Sequence, residues 1–236
     1  STFLNRAWDQ VVFDVALHRL PVIFCLDRAG ITGDDGPSHH GIYDMALLSK
    51  VPGMRVLAPS STQEVEQMLK DAITLANEGP VVIRYPKGVA RSVDAADIGS
   101  GLAARKLLTD ESNTVCILAI GKMVGASLDA AALLAAKGIS ATVWDVRSCA
   151  PLDQSMIDNA AAHQVVVTVE DGIREGGIGM TIEDLVSHTT GSHRPSIEVL
   201  GIPKQFIPQA KPDVILSRLG LNAEGIAATV QRLVHK

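Results

Sequence analysis

The sequence predicts an α/β protein that contains two doubly wound units. Short apolar runs typical of buried strands alternate with longer segments of helical spacing along most of the 236 residues. The connections between successive strands are long enough to hold a helix, which favours parallel strand pairing. A polar, irregular stretch at residues 91–112 divides the chain. We therefore expect units at residues 1–90 and 113–236 with a linker between them.

The first unit opens with helical spacing of its apolar residues, which are Leu4, Ala7, Trp8, Val11, Val12, Val15 and Ala16. Strands are predicted at residues 21–27, around 54–59 and at 80–88. Helices are predicted at about 43–49 and 62–77, and Ser60 or Ser61 is the expected N-cap of the second helix. Because a helix with no Met and no preceding strand opens the chain, we expect it to be part of a longer polypeptide.

The second unit repeats the same alternation four times. Strands are predicted at residues 114–121, 140–146, 164–171 and 196–202, and helices at 123–137, 153–162, 177–188 and 222–235. Residues 102–108 are a candidate edge strand. The segment "EDGIREGGIGMTI" places glycines before a helix but matches neither the GxGxxG fingerprint nor a Walker loop. It is interpreted as tight helix–strand packing, with contact to an anionic ligand as the alternative.

Composition excludes several functional classes. The net charge is −5 and no cluster of Lys and Arg appears, which argues against nucleic acid or an anionic membrane as a partner. No apolar stretch approaches the ~20 residues of a membrane span. Cys25, Cys116 and Cys149 form no CxxC pair and are interpreted as reduced core thiols of a cytosolic protein, with a catalytic cysteine as the alternative.

Residues 27–44, "DRAGITGDDGPSHHGIYD", form the most functional-looking segment of the chain. They follow a predicted buried strand, and open α/β sheets bind ligands at the carboxyl ends of their strands. Arg28 can hold a phosphate or carboxylate, and His39 can donate, accept or transfer a proton near neutral pH. The four glycines allow tight turns and close backbone approach to a ligand. The candidates are Asp27, Arg28, Asp34, Asp35, His39 and His40. A metal site is disfavoured because no three ligands share a face, and a solvated loop is the alternative.

Several segments together resemble the 1-deoxy-D-xylulose-5-phosphate synthase family, thiamine-diphosphate enzymes that open the non-mevalonate route to isoprenoids. The segments are "STFLNRAWDQVVFDVALHRLPVIFCLDRAG", "GDDGPSHHGIYD", "VLAPSS", "GPVVIRYPKG", "GIPKQFIPQ" and "LGLNAEGI". The resemblance covers essentially all 236 residues in order. This run of signatures distinguishes the family from transketolase and from the E1 components of 2-oxo acid dehydrogenases.

The resemblance implies a protein of three domains, which bind the diphosphate, bind the pyrimidine and form the C-terminus. The first unit corresponds to the later part of the pyrimidine-binding domain and the second to the transketolase C-terminal domain. In the family, a GDG…N segment holds Mg²⁺ and the diphosphate, and an "AEQH" glutamate activates the aminopyrimidine. Neither is present here, so this chain alone is expected to be inactive and to need the N-terminal portion.

The resemblance also assigns roles to residues that could bind the cofactor and the acceptor. Phe3 corresponds to an aromatic side chain that packs on the aminopyrimidine ring, and Arg6 to an arginine of the site wall. Arg28 and Lys87 correspond to two cations that hold the phosphate of glyceraldehyde 3-phosphate. The family often has Arg in place of Lys87, and lysine keeps the charge but loses the bidentate geometry. From residue type alone, Lys87 is also compatible with an exposed turn.

Asp35 and His39 correspond to a pair that faces the reacting carbon of the cofactor. The implied enzyme joins decarboxylated pyruvate to glyceraldehyde 3-phosphate, and its product also supplies thiamine and pyridoxal precursors. It is a homodimer in the bacterial cytoplasm, or in a plastid after transit-peptide removal. The alternatives are an ordinary transketolase and a non-catalytic C-terminal module for assembly or regulation.

Overall fold

The first sheet of the computed structural model, which describes residues 1–189 and 194–235, contains four strands in the order β1-β3-β2-β7. They are β1 (Ile23–Leu26), β2 (Arg55–Leu57), β3 (Val81–Arg84) and β7 (Ser148–Ala150). The first three are parallel, and β7 pairs antiparallel with β2. Helices α1 (Asp44–Leu48) and α2 (Thr62–Leu75) belong to the same part of the chain. The Ser61 hydroxyl caps α2 by accepting the Glu64 N–H at 3.1 Å, as predicted.

The second sheet contains five strands in the order β4-β6-β5-β8-β9. They are β4 (Arg105–Leu108), β5 (Val115–Ala119), β6 (Thr142–Asp145), β8 (Val165–Ile173) and β9 (Ser196–Ile202). All pairs are parallel except β4 with β6, so the candidate edge strand is present and antiparallel. The helices are α3 (Met123–Ala135), α4 (Gln154–Ala161), α5 (Ile178–His188), α6 (Pro212–Arg218) and α7 (Ala223–Val234). Helix α3 contacts α7 and α4 contacts α5, which confirms the doubly wound prediction.

The cores of the two units are continuous. Alternate residues of β5 point to opposite faces of the sheet: Cys116 and Leu118 lie in one cluster, and Val115 and Ile117 in the other. The first cluster also contains buried residues of the first sheet, so the two sheets share one apolar layer. The second cluster includes Ile31, from the charged loop, together with residues of α3 and α7. That loop is therefore packed against the second unit.

Three local predictions need correction. Residues 2–16 are helical but form a 3-10 helix (Thr2–Ala7) followed by a π-helix (Gln10–Ala16). Cys25 is exposed rather than in the core, because β1 is an edge strand and this side chain points away from the cluster that buries Leu26. Strand β7 and helix α6 were not predicted.

The predicted linker is ordered. Residues 91–112 contain a 3-10 helix (Ala95–Asp97) and strand β4. Strand β7 comes from the predicted second unit but completes the first sheet. The predicted boundary between two domains at residues 91–112 therefore stays a prediction. Among the described residues, no helix is both long and apolar enough to cross a membrane.

Candidate active site

Two neighbouring strands place the predicted cations at one edge of the first sheet. β1 and β3 are parallel and pair Leu26 with Arg84, so their carboxyl ends coincide. The Ala29 N–H donates to the Tyr85 carbonyl at 3.0 Å, which continues the contact beyond the strands. Arg28 and Lys87 follow these ends and are both exposed. Sheet register thus brings together two cations that are far apart in sequence.

The loop between these strand ends and α1 is held in a defined shape. Gly30 and Gly41 exchange two backbone hydrogen bonds of 2.8 Å each. Arg28 adopts a left-handed backbone conformation with φ 53°, which turns the chain at the start of the loop. Ile31 and Ile42 are buried among side chains of the second unit. Ile31 and Ile42 therefore anchor the loop on the second unit, whereas Asp34 and Asp35 are exposed, so the solvated-loop alternative still applies to these charged residues.

Three of the predicted site residues form one cluster at the surface. The rings of Phe3 and His39 meet edge to face with centroids 5.4 Å apart. The Arg6 guanidinium carbon lies 5.8 Å from the centroid of the Phe3 ring. The Thr2 hydroxyl donates to the His39 carbonyl at 2.7 Å, and the Ser38 hydroxyl lies 2.9 Å from His39 Nδ1. The N-terminal helical segment therefore orients the predicted catalytic histidine.

Asp35 and Lys87 form a second pair. Lys87 Nζ lies 3.9 Å from Asp35 Oδ2, and about half of each side chain is exposed. A solvent-exposed pair of this kind contributes only ~0–1 kcal/mol, so a phosphate can compete for the lysine. Arg28 shares this edge through its backbone position, and its guanidinium forms no ion pair with any residue in 1–189 or 194–235. Both cations are available to an anionic ligand.

A buried charge network lies beneath the loop and was not predicted. Arg84 donates to Asp44 at 3.1 Å and to Asp171 at 2.6 Å, and all three side chains are at most 2% exposed. Burial lowers the pKa of Arg84, but the two carboxylates more than compensate and hold it above its usual value. Asp171 belongs to the second unit, so the network joins both units. The sequence feature that could have indicated this network is an arginine, Arg84, in the otherwise apolar run "PVVIR".

Asp171 also packs directly against the candidate site loop. A Cβ added at Gly30 would lie 2.0 Å from Asp171 Oδ2, and Gly30 has φ +72°. Both facts require glycine at this position. The carboxylate from the second unit therefore sets how closely the loop approaches the sheet.

The glycine-rich segment after β8 packs helix against strand. The Gly179 N–H and Ile178 N–H donate to the buried Glu170 carboxylate at 2.8 and 3.3 Å. A Cβ at Gly179 would lie 2.4 Å from Thr168 Oγ1, so α5 fits closely on the sheet. Burial raises the pKa of Glu170 to about 7. Because Glu170 itself occupies the helix N-terminus, the packing interpretation is confirmed and the external-anion alternative is not needed.

A second buried network joins the units at the linker. Arg147 donates to Glu64 at 2.9 Å, and to the Ala103 carbonyl at 2.6 Å. The Ser60 hydroxyl donates to Asp145 at 2.5 Å. Burial raises the pKa of Asp145 to about 7, although the bond from Ser60 opposes this. These contacts hold the linker against α2 rather than leaving it as a free tether.

The described residues include an exposed aromatic ring beside His39 but no group of metal-binding side chains. Phe3 is 56% exposed beside His39, so its ring can pack on a planar cofactor. Within residues 1–189 and 194–235, no three His, Cys, Asp or Glu side chains are grouped to hold a metal ion. The exposed Phe3 ring is therefore the feature of this surface that could contact a planar ligand.

The fold and this strand-end site define an α/β protein of two units with two exposed cations, Arg28 and Lys87, at one edge of the first sheet. Family comparison identifies it further. The model for the transketolase C-terminal domain matches residues 105–226, and that for the transketolase pyrimidine-binding domain matches residues 1–92. The chain therefore belongs to the transketolase family.

Two curated relatives are named as 1-deoxy-D-xylulose-5-phosphate synthases. The chain is 43% identical to the 1-deoxy-D-xylulose-5-phosphate synthase of Leifsonia xyli subsp. xyli (strain CTCB07), over 96% of this chain and 34% of the relative. It is 42% identical to 1-deoxy-D-xylulose-5-phosphate synthase 1 of Kitasatospora griseola, over 97% of this chain and 35% of the relative. The chain thus spans about a third of the length of these relatives.

Solved structures confirm the fold. A split-gene transketolase, described as an inactive beta4 tetramer, matches 99% of this chain and 74% of its own, with 28% identity and a TM-score of 0.87. A transketolase variant from Pichia stipitis matches 99% of this chain and 33% of its own, with 19% identity and a TM-score of 0.75. The second likeness concerns the fold alone.

Proposed function

We propose that this chain forms the acceptor-phosphate wall of a thiamine-diphosphate-dependent 1-deoxy-D-xylulose-5-phosphate synthase. That enzyme joins pyruvate, with loss of CO₂, to glyceraldehyde 3-phosphate. The observation that carries the proposal is that one loop at the strand ends supplies both His39, which contacts Phe3, and Asp35, which pairs with Lys87. Identity of about 40% to enzymes of this name over nearly the whole chain supports it.

The phosphate of the acceptor is assigned to Arg28 and Lys87. A phosphate carries more negative charge than the Asp35 carboxylate and offers more acceptor oxygens, so it can draw Lys87 away from a weak exposed pair. Arg28 has no competing ion pair among the described residues. Binding the phosphate at a distance from the reacting carbonyl uses that binding energy to orient the aldehyde.

Proton handling is assigned to His39. Ser38 engages Nδ1, so Nε2 is the nitrogen assigned to the substrate, and Phe3 restricts rotation of the ring. Asp35 lies four residues earlier in the same loop and is assigned, together with His39, to the part of the site that faces the reacting carbon of the cofactor. The loop therefore supplies both a proton carrier and a carboxylate.

Thiamine diphosphate supplies the carbanion chemistry when it is bound. Phe3 is assigned to contact its aminopyrimidine ring and Arg6 to complete the adjoining wall. The diphosphate and Mg²⁺ are assigned to the N-terminal portion of the protein, because this chain covers about a third of the relatives' length. The bacterial origin of these relatives supports a bacterial cytoplasmic location, and we propose a homodimeric assembly.

The test compares the chain alone with the chain joined to its N-terminal portion. We expect no thiamine-diphosphate-dependent consumption of pyruvate by the chain alone, and formation of 1-deoxy-D-xylulose 5-phosphate by the joined protein. Product from the isolated chain contradicts the assignment of the diphosphate site. A light-scattering mass of a monomer at micromolar concentration contradicts the homodimer.

The structural likeness to a split-gene transketolase favours one rival, an ordinary transketolase. A ketose phosphate that replaces pyruvate as donor in the same assay identifies that activity. If neither donor reacts in the joined protein, the non-catalytic module is the correct interpretation.

A further inference from the structure

His40 lies next to the predicted catalytic histidine but differs from it in every contact. It is 3% exposed. The Thr32 N–H lies 3.2 Å from its Nδ1, and its Nε2 lies 3.2 Å from the Ile207 carbonyl oxygen. A backbone N–H can only donate and a carbonyl can only accept. The contacts therefore define a neutral ring with its proton on Nε2.

These two contacts join the loop to the segment that follows β9 in the second unit. Ile207 is 5% exposed and shares the apolar cluster that contains Ile31. The same segment touches the loop again, because a Cβ at Gly33 would lie 2.6 Å from Pro212. A Cβ at Gly36 would lie 3.6 Å from the Gln209 Cβ. His40 is thus the polar link within a larger apolar contact.

We propose that His40 is a positioning residue that clamps the loop carrying Asp35 and His39 onto the second unit, and that the clamp requires a neutral imidazole. A second ring proton would place an N–H on Nδ1 opposite the Thr32 N–H, so two donors would face each other. The Thr32 hydroxyl, at 3.3 Å, can rotate to accept, but the backbone amide cannot. Its effect on His39 chemistry rests on the proposed function, whereas the clamp itself does not.

The surroundings keep His40 neutral near physiological pH. Burial lowers its pKa below the usual 6.5, and a charge on His39 lowers it further. The Ile207 carbonyl and Asp35 act in the opposite direction but do not compensate for burial. Because the folded pKa is below the unfolded one, the contribution of the clamp is complete above pH 6.5. It is lost as the pH falls towards the folded pKa.

Amide hydrogen exchange of the chain tests the clamp directly. Protection at Thr32 and across residues 30–41, corrected for intrinsic exchange rates, is compared at about pH 7.5 and at the lowest pH at which strand β5 keeps its protection. We expect wild-type protection at Thr32 to fall by roughly tenfold at the lower pH, as one buried hydrogen bond is lost. His40→Ala should show the low protection at both values. His40→Gln should keep protection at both, since its amide offers one acceptor and one donor and does not titrate.

His163→Gln is the matched control. His163 is also buried, and burial lowers its pKa, but it hydrogen-bonds within the second unit to Thr142 and Asn159. This variant should leave residues 30–41 unchanged, and strand β5 serves as the internal reference for global stability.

Three results overturn the clamp: wild-type protection that does not change with pH, normal protection in His40→Ala, or equal losses in His40→Gln and His40→Ala. In the joined enzyme, any acid-side loss of kcat that the clamp causes in the wild type should be weaker in His40→Gln. If hydrogen exchange gives the expected pattern but the joined protein has no synthase activity, the clamp is supported and only the proposed function is refuted.

Discussion

The buried arginine between two carboxylates makes a quantitative prediction about stability. Asp171→Ala removes the 2.6 Å partner of Arg84, whose side chain is 1% exposed, and leaves Asp44 as its remaining partner. At an effective dielectric constant of about 20 and a charge separation of about 4 Å, the lost attraction is ~4 kcal/mol. Removing one partner of a buried pair costs ~3–5 kcal/mol in other proteins. We expect the free energy of unfolding to fall by about that amount.

Urea unfolding, followed by far-ultraviolet circular dichroism and by the fluorescence of Trp8 and Trp144, measures the change. Asp184→Ala is the control, because Asp184 is 72% exposed and its pairing with His188 is solvent-screened. Little change is expected for this variant. A loss below about 1 kcal/mol for Asp171→Ala would refute the reasoning, since water would then be reaching Arg84.

The same reasoning predicts whether a triple variant is more or less stable than Asp171→Ala. Replacing the whole network by Arg84→Met, Asp44→Leu and Asp171→Leu removes its three buried charges together. We expect this variant to lose less stability than Asp171→Ala, because no charge is left without a partner. If the triple variant loses more stability than Asp171→Ala, the three charges together contribute stability that apolar side chains do not replace.

Further predictions concern the site and one buried carboxyl. In the joined enzyme, Arg28→Ala should raise the acceptor KM by at least about tenfold, with little change for pyruvate, because charge-assisted bonds of ~1.5–3 kcal/mol are lost. Steady-state kinetics should show Lys87→Arg to be tolerated. His39→Ala should lower kcat on the order of 10²-fold and flatten one limb of the pH–rate profile; small, equal effects of Arg28→Ala and His39→Ala would refute the site. Burial raises the pKa of Asp145 from 3.8 to about 7. Between these pH values the folded protein keeps a proton that the unfolded chain has lost. The free energy of unfolding of the wild type therefore decreases as the pH rises from about 4 to about 7. Asp145→Asn cannot ionise, so its melting temperature relative to wild type should increase between about pH 4 and pH 7.

The local pattern of apolar residues in the sequence predicted most of the helices and strands. The periodicity of residues 123–137 predicted α3 (Met123–Ala135), and the apolar run at 164–171 predicted β8 (Val165–Ile173). The position of Arg28 and His39 after a buried strand indicated a strand-end site. The helix and strand predictions are confirmed because their periodicity depends on residues close in sequence. The strand-end site stays a prediction, made from the tendency of α/β sheets to bind ligands there.

Only the tertiary structure decided how distant segments support that site. Nothing in the short segment Ser148–Ala150 shows that it leaves its own unit to pair with β2. The pairing of Arg84 with Asp171 and of His40 with the Ile207 carbonyl joins residues 87 and 167 positions apart. A buried charge or imidazole acquires its role from the partner that burial forces it to find, and local sequence does not contain that partner.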